Sequence, residues 1–325
     1  MKKVIGFPHL ADYYHPVKKL IKNLTGLDVL QAPKITKKTI SLGSKYSPDS
    51  VCVPFKYNLG NFIELLDNGA NILMQAGGGC RYRYYAEVQE TILKDLGYDF
   101  SFIQIIERDH LRLSELYKIF KDLNPNLKRR TFLHNLIFAF MYVNYMDKID
   151  EIIRHKIGFE VETGSFIKIK KSFLNECDKT NSVLKLFLIY KKYKRKLKKV
   201  KINKPKDCIK VGIIGELYTA MEPFSTYELE KILASYHVEI KRFTNLSYLL
   251  WKKKFITPFM KIKCKRYCKY ALGADGLDNV YRTLWLKKHN YDGIIHTKPS
   301  GCTPEIGAMP IIMKVAKENN MPIIF

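Results

Sequence analysis

Seven cysteines are the residues of this sequence best suited to chemistry, and three of them stand in similar surroundings. Cys52 and Cys302 each stand two residues before a proline, at the start of a helical pattern, and Cys80 directly follows three glycines. Free amides at a helix N-terminus stabilise anionic sulfur, and glycine and proline neighbours allow close backbone approach to an inorganic group. Three thiolates suit a [4Fe–4S] cluster with one open iron, or a zinc site with an open position.

Spacing by itself favours inert buried cysteines, because separations of 28 and 222 residues are unlike a compact Cys-x₂-Cys run. Cys264 and Cys268 would share one helical face, but two ligands are too few for a metal site, so a structural role is predicted for both. Cys177 and Cys208 have no distinguishing context. An odd number of cysteines without a secretory leader predicts a reducing, cytoplasmic location and no disulfide framework.

The elements that would position the three cysteines are strands followed by loops and helices. Apolar runs predict strands at 4–7, 28–30, 72–74 and 100–106, and again at 209–214, 238–240, 292–297 and 322–325, the last as a buried strand. Strand–helix alternation predicts an α/β fold with a parallel sheet in the regions 1–108 and 207–325. The region 109–206 is predicted to be helical. Loops after parallel strands gather at one edge of a sheet, so the three cysteines could converge there.

Common nucleotide and hydrolase signatures are absent from the sequence: no Walker A loop, no Gly-x-Gly-x-x-Gly after a strand, no His-Glu-x-x-His and no Gly-x-Ser-x-Gly. The run from Gly212 to Glu216 is a weak nucleotide hint, and a tight turn that closes a strand explains it better. Catalysis by a nucleotide bound to this chain is therefore not predicted.

The chain is strongly basic, with 56 Lys and Arg against 31 Asp and Glu and a formal net charge of +25. The chain has 45 lysines and 11 arginines. This excess of lysine argues for diffuse charge rather than bidentate recognition of phosphate, which favours arginine. The segment 179–206 holds twelve basic residues and no acid, with apolar residues interleaved. It predicts a solvated basic helix with one apolar face. The apolar run at 136–143 is too short to span a bilayer, so no membrane partner is predicted.

The motifs together resemble the 2-hydroxyacyl-CoA dehydratase component family, in particular its acyl-CoA dehydratase activase-related or CoA protein activase branch, to which double-cubane cluster reductases are related. The resemblance covers both α/β regions and only weakly the middle third. It rests on these residues: Ile5-Gly6-Phe7-Pro8, Tyr14, Pro16, Ala32-Pro33, Thr36-Lys37-Lys38, Cys52-Val53-Pro54-Phe55-Lys56, Gly60-Asn61, Gly79-Cys80-Arg81-Tyr82, the run from Gly212 to Tyr218, Asp292-Gly293 and Gly301-Cys302-Thr303-Pro304-Glu305.

The resemblance implies two flavodoxin-like (Rossmann-like) lobes and a [4Fe–4S] cluster whose ligands are Cys52, Cys80 and Cys302. Arg81 and Lys56 would be cofactor-binding neighbours whose charge tunes the cluster potential, or else ordinary solvated cations. Glu305 would orient a ligand or relay a proton, or else serve as a carboxylate at a helix N-terminus.

The family also implies partners: an actin-like-superfamily activator ATPase with its own iron–sulfur cluster, a related second subunit, and an acyl-CoA or other small-molecule substrate. A double-cubane cluster needs six cysteines, so the three well-placed ones favour a single cubane. Relatives continue beyond the last predicted strand with a loop and a closing helix. The sequence therefore looks like a fragment, a split gene or a divergent member.

Two other functions remain open on the sequence. A non-enzymatic nucleic-acid-binding protein would use the basic segments 179–206 and 252–269, and would bind less tightly as salt rises. A cluster-carrying activation or assembly factor would share the three ligands but have no turnover of its own. The leading prediction is an iron–sulfur redox component that takes a low-potential electron from the activator, with no nucleic acid as partner.

Overall fold

The computed structural model describes residues 2–77, 80–105, 112–270 and 272–325. These residues form two compact units, one of Met1–Ala139 with Pro299–Gly301 and one of Phe140–Lys298 with Cys302–Phe325. The predicted division into 1–108, 109–206 and 207–325 stays a prediction.

In the first unit, as far as β4, one or more helical segments separate each strand from the next. In chain order they are β1 (Val4–Phe7), α1 (Tyr14–Thr25), β2 (Asp28–Gln31), α2 (Lys37–Tyr46), α3 (Val53–Asp67), β3 (Ile72–Gln75), a 3₁₀ turn (Arg81–Tyr84), α4 (Tyr85–Asp95), β4 (Ser101–Gln104) and α5 (Leu113–Leu123). The long helix α6 (Arg129–Arg154) follows and contains the boundary between the units.

The second unit adds two more helices and then a second strand–helix series. In chain order these are α7 (Ser165–Asp178), α8 (Val183–Lys199), β5 (Lys210–Gly215), α9 (Leu217–Met221), α10 (Leu229–Ser235), β6 (Glu239–Arg242), a π-helical turn (Tyr248–Lys252), α11 (Lys253–Cys264), α12 (Gly276–Lys288), β7 (Gly293–Thr297), α13 (Thr303–Glu318) and β8 (Ile323–Ile324).

Each unit is built on a four-stranded, all-parallel sheet, and the two sheets have the same strand order. The first runs β2-β1-β3-β4 and the second β6-β5-β7-β8. A strand order that begins 2-1-3-4 is that of flavodoxin-like folds. The predicted fold class, an α/β protein with two such lobes and a helical, lysine-rich middle region, is confirmed.

The predicted strands match the structure closely, with two qualifications. Ile106, at the end of the predicted strand 100–106, lies outside the described residues. The prediction of a buried strand at 322–325 is wrong about burial, because the side chain of Ile324 is 67% exposed and that of Phe325 43%. The physical reason is that β8 stands at the edge of its sheet, so within the described part of the chain its side chains have a neighbouring strand, β7, on one side only.

The packing of α2 on α3 depends on glycines at the crossing. A Cβ atom at Gly43 would lie 1.8 Å from the carbonyl oxygen of Lys56, and one at Gly60 would lie 2.0 Å from the carbonyl oxygen of Thr39. Helix α2 starts with a capping box between Thr36 and Thr39, which fixes its first turn. The two helix backbones therefore touch directly. A side chain at either glycine would push α3 away from α2.

The helices after α6 pack through aromatic side chains. Tyr145 and Tyr190 stack with ring centroids 4.4 Å apart, and Phe173 meets Tyr193 edge-on at 5.7 Å. In α8, five apolar residues turn inward: Leu186, Ile189, Tyr190, Tyr193 and Leu197. The predicted basic helix with one apolar face is thus confirmed. In the part of the chain that the structure describes, no helix combines the length and the apolar composition needed to cross a bilayer.

The contact between α2 and α3 predicts that Gly60→Ala lowers the free energy of unfolding by about 1–3 kcal/mol, because the new methyl group displaces backbone rather than a flexible side chain. Gly307 in α13 is the matched control, since a Cβ there meets nothing within 4 Å. Gly307→Ala should raise stability by about 0.5–1 kcal/mol, as alanine does in a helix interior. Urea unfolding of both variants measures the difference, and equal stabilities would contradict this account of the crossing.

Candidate functional site

Two of the three predicted ligands occupy matching positions in the two lobes. Cys80 stands five residues after Gln75, the last residue of β3, and Cys302 stands five residues after Thr297, the last residue of β7. Strands β3 and β7 hold the same place in the order of their sheets. Each cysteine is the N-cap of the helical segment that follows, with an extended backbone. Residues just beyond the carboxyl ends of parallel strands are where open α/β sheets bind their ligands.

Cys52 starts a helix of the first lobe. It is the N-cap of α3, has an extended backbone, and stands two residues before Pro54, as Cys302 stands two residues before Pro304 at the start of α13. Proline in a first helical turn needs no amide partner and presets the helical backbone angle. The two starts therefore share one local design, in which a cysteine stands at the positive end of a helix.

Tyr85 brings Cys52 and Cys80 into one electrostatic environment. Its hydroxyl oxygen lies 2.7 Å from the Cys52 Sγ. Burial raises the pKa of Tyr85 strongly, and the hydrogen bond with Cys52 and electrostatic interactions with Cys52 and Cys80 raise it further. Because the hydroxyl stays protonated, it can donate a hydrogen bond to a thiolate. The ring is fixed by an edge-on contact with Phe55 at 4.8 Å and by a tilted contact with Tyr82 at 5.4 Å.

Gly301 packs against the backbone of Cys52 within the first unit. A Cβ atom at Gly301 would lie 3.4 Å from the Cys52 Cα and 3.5 Å from the Val51 carbonyl oxygen. The segment Pro299–Gly301 belongs to the same unit as Cys52, and Cys302 is the next residue in the chain. A glycine at this place keeps the approach of the two backbones close.

The three cysteines differ in exposure. Cys80 is exposed, Cys52 is half-buried and Cys302 is buried, with 8% of its surface accessible. Among residues 2–77, 80–105, 112–270 and 272–325, no three His, Cys, Asp or Glu side chains are grouped closely enough to hold a metal ion. The ligand role of Cys52, Cys80 and Cys302 stays a prediction.

The remaining cysteines lie in different surroundings. Cys177, Cys264 and Cys268 are buried, and Cys208 is half-buried. Cys264 ends α11 and accepts a backbone hydrogen bond from Cys268, and both pack in the apolar core of the second lobe. Burial raises the pKa of Cys264 to about 12, so that thiol stays neutral. The structural role predicted for Cys264 and Cys268 agrees with this placement.

The two predicted cofactor-binding cations lie on the first lobe. Arg81 follows Cys80, is exposed, and lines a pocket of about 260 Å³ together with Tyr84, Tyr85 and Val88. Lys56 is half-buried in α3, four residues after Cys52, and residues four apart share a helix face. Their role in tuning a cluster potential stays a prediction.

Glu305 belongs to a buried polar network of the second lobe. Only 1% of its surface is exposed, and Asn279 donates from Nδ2 to both carboxylate oxygens at 2.9 Å. Nε2 of the buried His296 lies 2.5 Å from Glu305 Oε2. Asn279 Oδ1 in turn accepts from the Gly215 amide at 3.2 Å and from Arg282 at 2.9 Å. The network thus joins the ends of β5 and β7 to α12 and to the first turn of α13, where Cys302 stands.

Glu216 is an ionisable residue directly after β5. The sequence predicts it only as part of the tight turn that closes this strand. Its carboxylate caps α9 by accepting from the amides of Tyr218 and Thr219, at 3.1 and 2.8 Å. Burial raises its pKa to about 7, and the negative charge of Asp275 adds to the rise. Glu216 therefore changes its charge near neutral pH at the carboxyl end of the central strand.

Sequence reasoning missed several residues of these surroundings. Tyr85 appears in the sequence only as the start of a helix, although the aromatic run Tyr82 to Tyr85 directly after Cys80 is a signal that could have raised it. His296 lies at an inward-facing position of a predicted strand, and a histidine there was a detectable signal. Asn279 carries no local signal, since its role depends on contacts with Gly215 and Glu305.

The sequence matches no protein-family model and no curated protein.

The network around Glu305 predicts that Glu305→Gln lowers the free energy of unfolding by about 1–3 kcal/mol, because the new amide group must face one of two donors. Glu318 at the far end of the same helix gives the control. It pairs with exposed Arg266 at 3.3 Å, so Glu318→Gln should cost less than about 1 kcal/mol. Urea unfolding compares them. Similar losses in both variants would show that the network does not anchor α13.

The raised pKa of Glu216 predicts a pH dependence of stability. A folded-state pKa of about 7 against a usual value of 4.5 means that the folded protein keeps this proton while the unfolded chain has lost it. Wild-type stability therefore falls as pH rises between these two values. Glu216→Gln removes this fall, so the thermal midpoint of the variant relative to wild type should rise from pH 5 to pH 8. A difference that stays constant with pH would contradict the assignment.

Proposed function

We propose that this chain is an iron–sulfur redox protein in which Cys52, Cys80 and Cys302 bind a [4Fe–4S] cluster. One observation carries the proposal: Cys80 and Cys302 stand at the same distance beyond the same strand of two like sheets, each capping the helical segment that follows. Neither cysteine contributes to a strand or to the interior of a helix. A repeated cysteine at a ligand-binding edge is better explained by ligation than by packing.

The chemistry of the donors fits such a cluster. Iron–sulfur clusters are bound by cysteine thiolates, and three ligands leave one iron open. Each of the three sulfur-bearing residues starts a helical segment, where backbone amides and the helix dipole favour negative charge. Cys52 also has the Tyr85 hydroxyl at 2.7 Å, which can donate to a thiolate. Hydrogen bonds to ligating sulfur are among the features that set a cluster's potential.

When bound, a [4Fe–4S] cluster supplies one-electron transfer at low potential. The residues of this chain would bind it and tune it. Arg81, exposed beside the exposed Cys80, would place positive charge near anionic sulfur at the solvent side. Glu305 would hold the first turn of α13, and with it Cys302, through Asn279 and His296. Because Glu305 is buried, we assign it the role of positioning Cys302 rather than that of contacting a substrate.

The proposal extends to partners that the family resemblance implies. The electron would come from an ATP-dependent activator of the actin-like superfamily that carries its own cluster, and it would pass to an acyl-CoA or other small-molecule substrate. A related second subunit would complete the substrate site.

Anaerobic reconstitution with iron and sulfide, followed by iron and sulfide analysis, tests the proposal. Wild type should bind about four irons and four sulfides per chain. Cys52→Ser, Cys80→Ser and Cys302→Ser should each lose most of that iron. The matched control is Cys208→Ser, which changes a half-buried cysteine outside the candidate site and should keep the wild-type content.

Two results would contradict the assignment. Wild-type protein that stays free of iron after reconstitution would remove the redox function altogether. Full iron content in the Cys302→Ser variant, with loss in the Cys208→Ser variant, would move the cluster to other ligands. Circular dichroism of each variant shows whether a loss of iron comes from unfolding, since α/β folds have a strong helical signal.

A further inference from the structure

The outer face of α11 and of the π-helical turn before it carries a row of exposed apolar side chains. The exposed fractions are 59% for Trp251, 69% for Phe255, 47% for Phe259 and 72% for Ile262. Spacings of four, four and three residues place them along one side of the helix. These four side chains are called the α11 strip below. Trp251 and Phe255 contact each other at a centroid distance of 5.9 Å.

The opposite side of α11 fixes which way the strip faces. Met260 and Cys264 are buried in the apolar core of the second lobe. Lys253 is held by Asp275 at 2.9 Å and by Asp278 at 3.1 Å, and both carboxylates are almost fully buried. A half-buried lysine with two buried partners resists rotation of the helix. The strip therefore points outward because the core and these ion pairs leave it no other direction.

Basic residues border the strip on both sides. Lys252 and Lys263 follow one edge, and Lys254, Lys261 and Lys265 follow the other, and all five are exposed. Lys263 Nζ lies 5.4 Å from the ring centroid of Phe259, so charge and aromatic surface are adjacent. The sequence contains no acidic residue from 248 to 274. The surface is thus apolar along its middle and positive along both margins.

We propose that the α11 strip and its bordering lysines bind the surface of an anionic lipid bilayer, with α11 lying in the interface. Interfacial helices have this arrangement: apolar and aromatic side chains enter the boundary between headgroups and acyl chains, while lysines contact anionic headgroups. Tryptophan is especially suited to that boundary. The proposal concerns attachment to a surface and does not rest on the proposed iron–sulfur function.

The chemistry of the strip favours lipid over nucleic acid. Phosphate contacts would use the lysines, but Ile262, the most exposed member, has no planar face on which a base could stack. Helix α8 gives a comparison within the same chain. It is also basic and exposes Leu184, Phe187 and Leu188, but it contains no tryptophan, and Phe187 is only 38% exposed. Bilayer binding is therefore assigned to α11 and not to basic helices of this chain in general.

Co-sedimentation of the 325-residue chain with vesicles tests the proposal. Vesicles of phosphatidylglycerol and phosphatidylcholine should bind it about tenfold more strongly than vesicles of phosphatidylcholine alone. The double variant Phe255→Ser, Ile262→Ser should weaken that binding about tenfold. Both side chains are highly exposed, so folding should be preserved. The matched control, Leu184→Ser with Leu188→Ser on α8, should bind like wild type.

Tryptophan fluorescence gives an independent measurement, because the chain has two tryptophans. Trp285 is half-buried and stacked on His289 with ring centroids 3.7 Å apart, whereas Trp251 belongs to the strip. Anionic vesicles should shift the emission to shorter wavelength. The shift should persist in Trp285→Phe and disappear in Trp251→Phe.

Three outcomes would overturn the proposal. The first is undetectable binding to anionic vesicles at physiological salt. The second is equal binding by the double variant and wild type, which would leave only diffuse charge attraction. The third is binding of a single-stranded RNA probe that is lost in the double variant while vesicle binding is absent, which would assign the strip to nucleic acid.

Discussion

The hydrogen bonds between Asn279 and Glu305 are the contact on which the second lobe's candidate site depends. Asn279 lies inside α12 and meets the end of β5 on one side and the first turn of α13 on the other. Both side chains are almost fully buried, so breaking the contact leaves buried polar groups unpaired. The start of α13, and with it Cys302, is thereby fixed to the strand ends.

The first lobe reaches a similar result with different contacts. Its site is organised around a ring rather than a carboxylate, since Tyr85 packs on Phe55 and lies within hydrogen-bond distance of the Cys52 sulfur. The direct contact of α2 with α3 at Gly43 and Gly60 sets the position of the helix that Cys52 begins. Both lobes thus use buried interactions of helices to place a cysteine at a helix start, beside the edge of a parallel sheet.

Much of this architecture could be predicted from the sequence, because buried parallel strands are short apolar runs bounded by turn residues. Helix α2 carries little sequence signal, because its residues are mostly polar and its cap uses threonine at both positions. Helix α12 likewise carries little sequence signal, because Asp278, Asn279 and Arg282 on its buried side interrupt the apolar period. Buried polar residues are stabilised by partners far away in the chain, so the local sequence does not predict which polar residues are buried.

The same limit applies to the site. Glycine and proline neighbours distinguish Cys52, Cys80 and Cys302 from the other cysteines in the sequence. These neighbours mark turns and helix starts, which depend on local sequence. The contact of Tyr85 with Cys52 spans 33 residues and exists only once α3 and α4 have packed. The raised pKa of Glu216 likewise arises from burial at the end of β5. The sequence of a tight turn does not show that this carboxyl group is buried.

The central claim is that three cysteines of this chain ligate one cubane cluster. Mössbauer spectroscopy of the chain reconstituted anaerobically with ⁵⁷Fe tests it most directly, because it reports the type of cluster and the ligand of each iron. The account predicts the spectrum of a single [4Fe–4S] cluster in which one iron differs from the other three. A spectrum of isolated or non-specifically bound iron, or of a cluster with four equivalent cysteine-ligated irons, would contradict it.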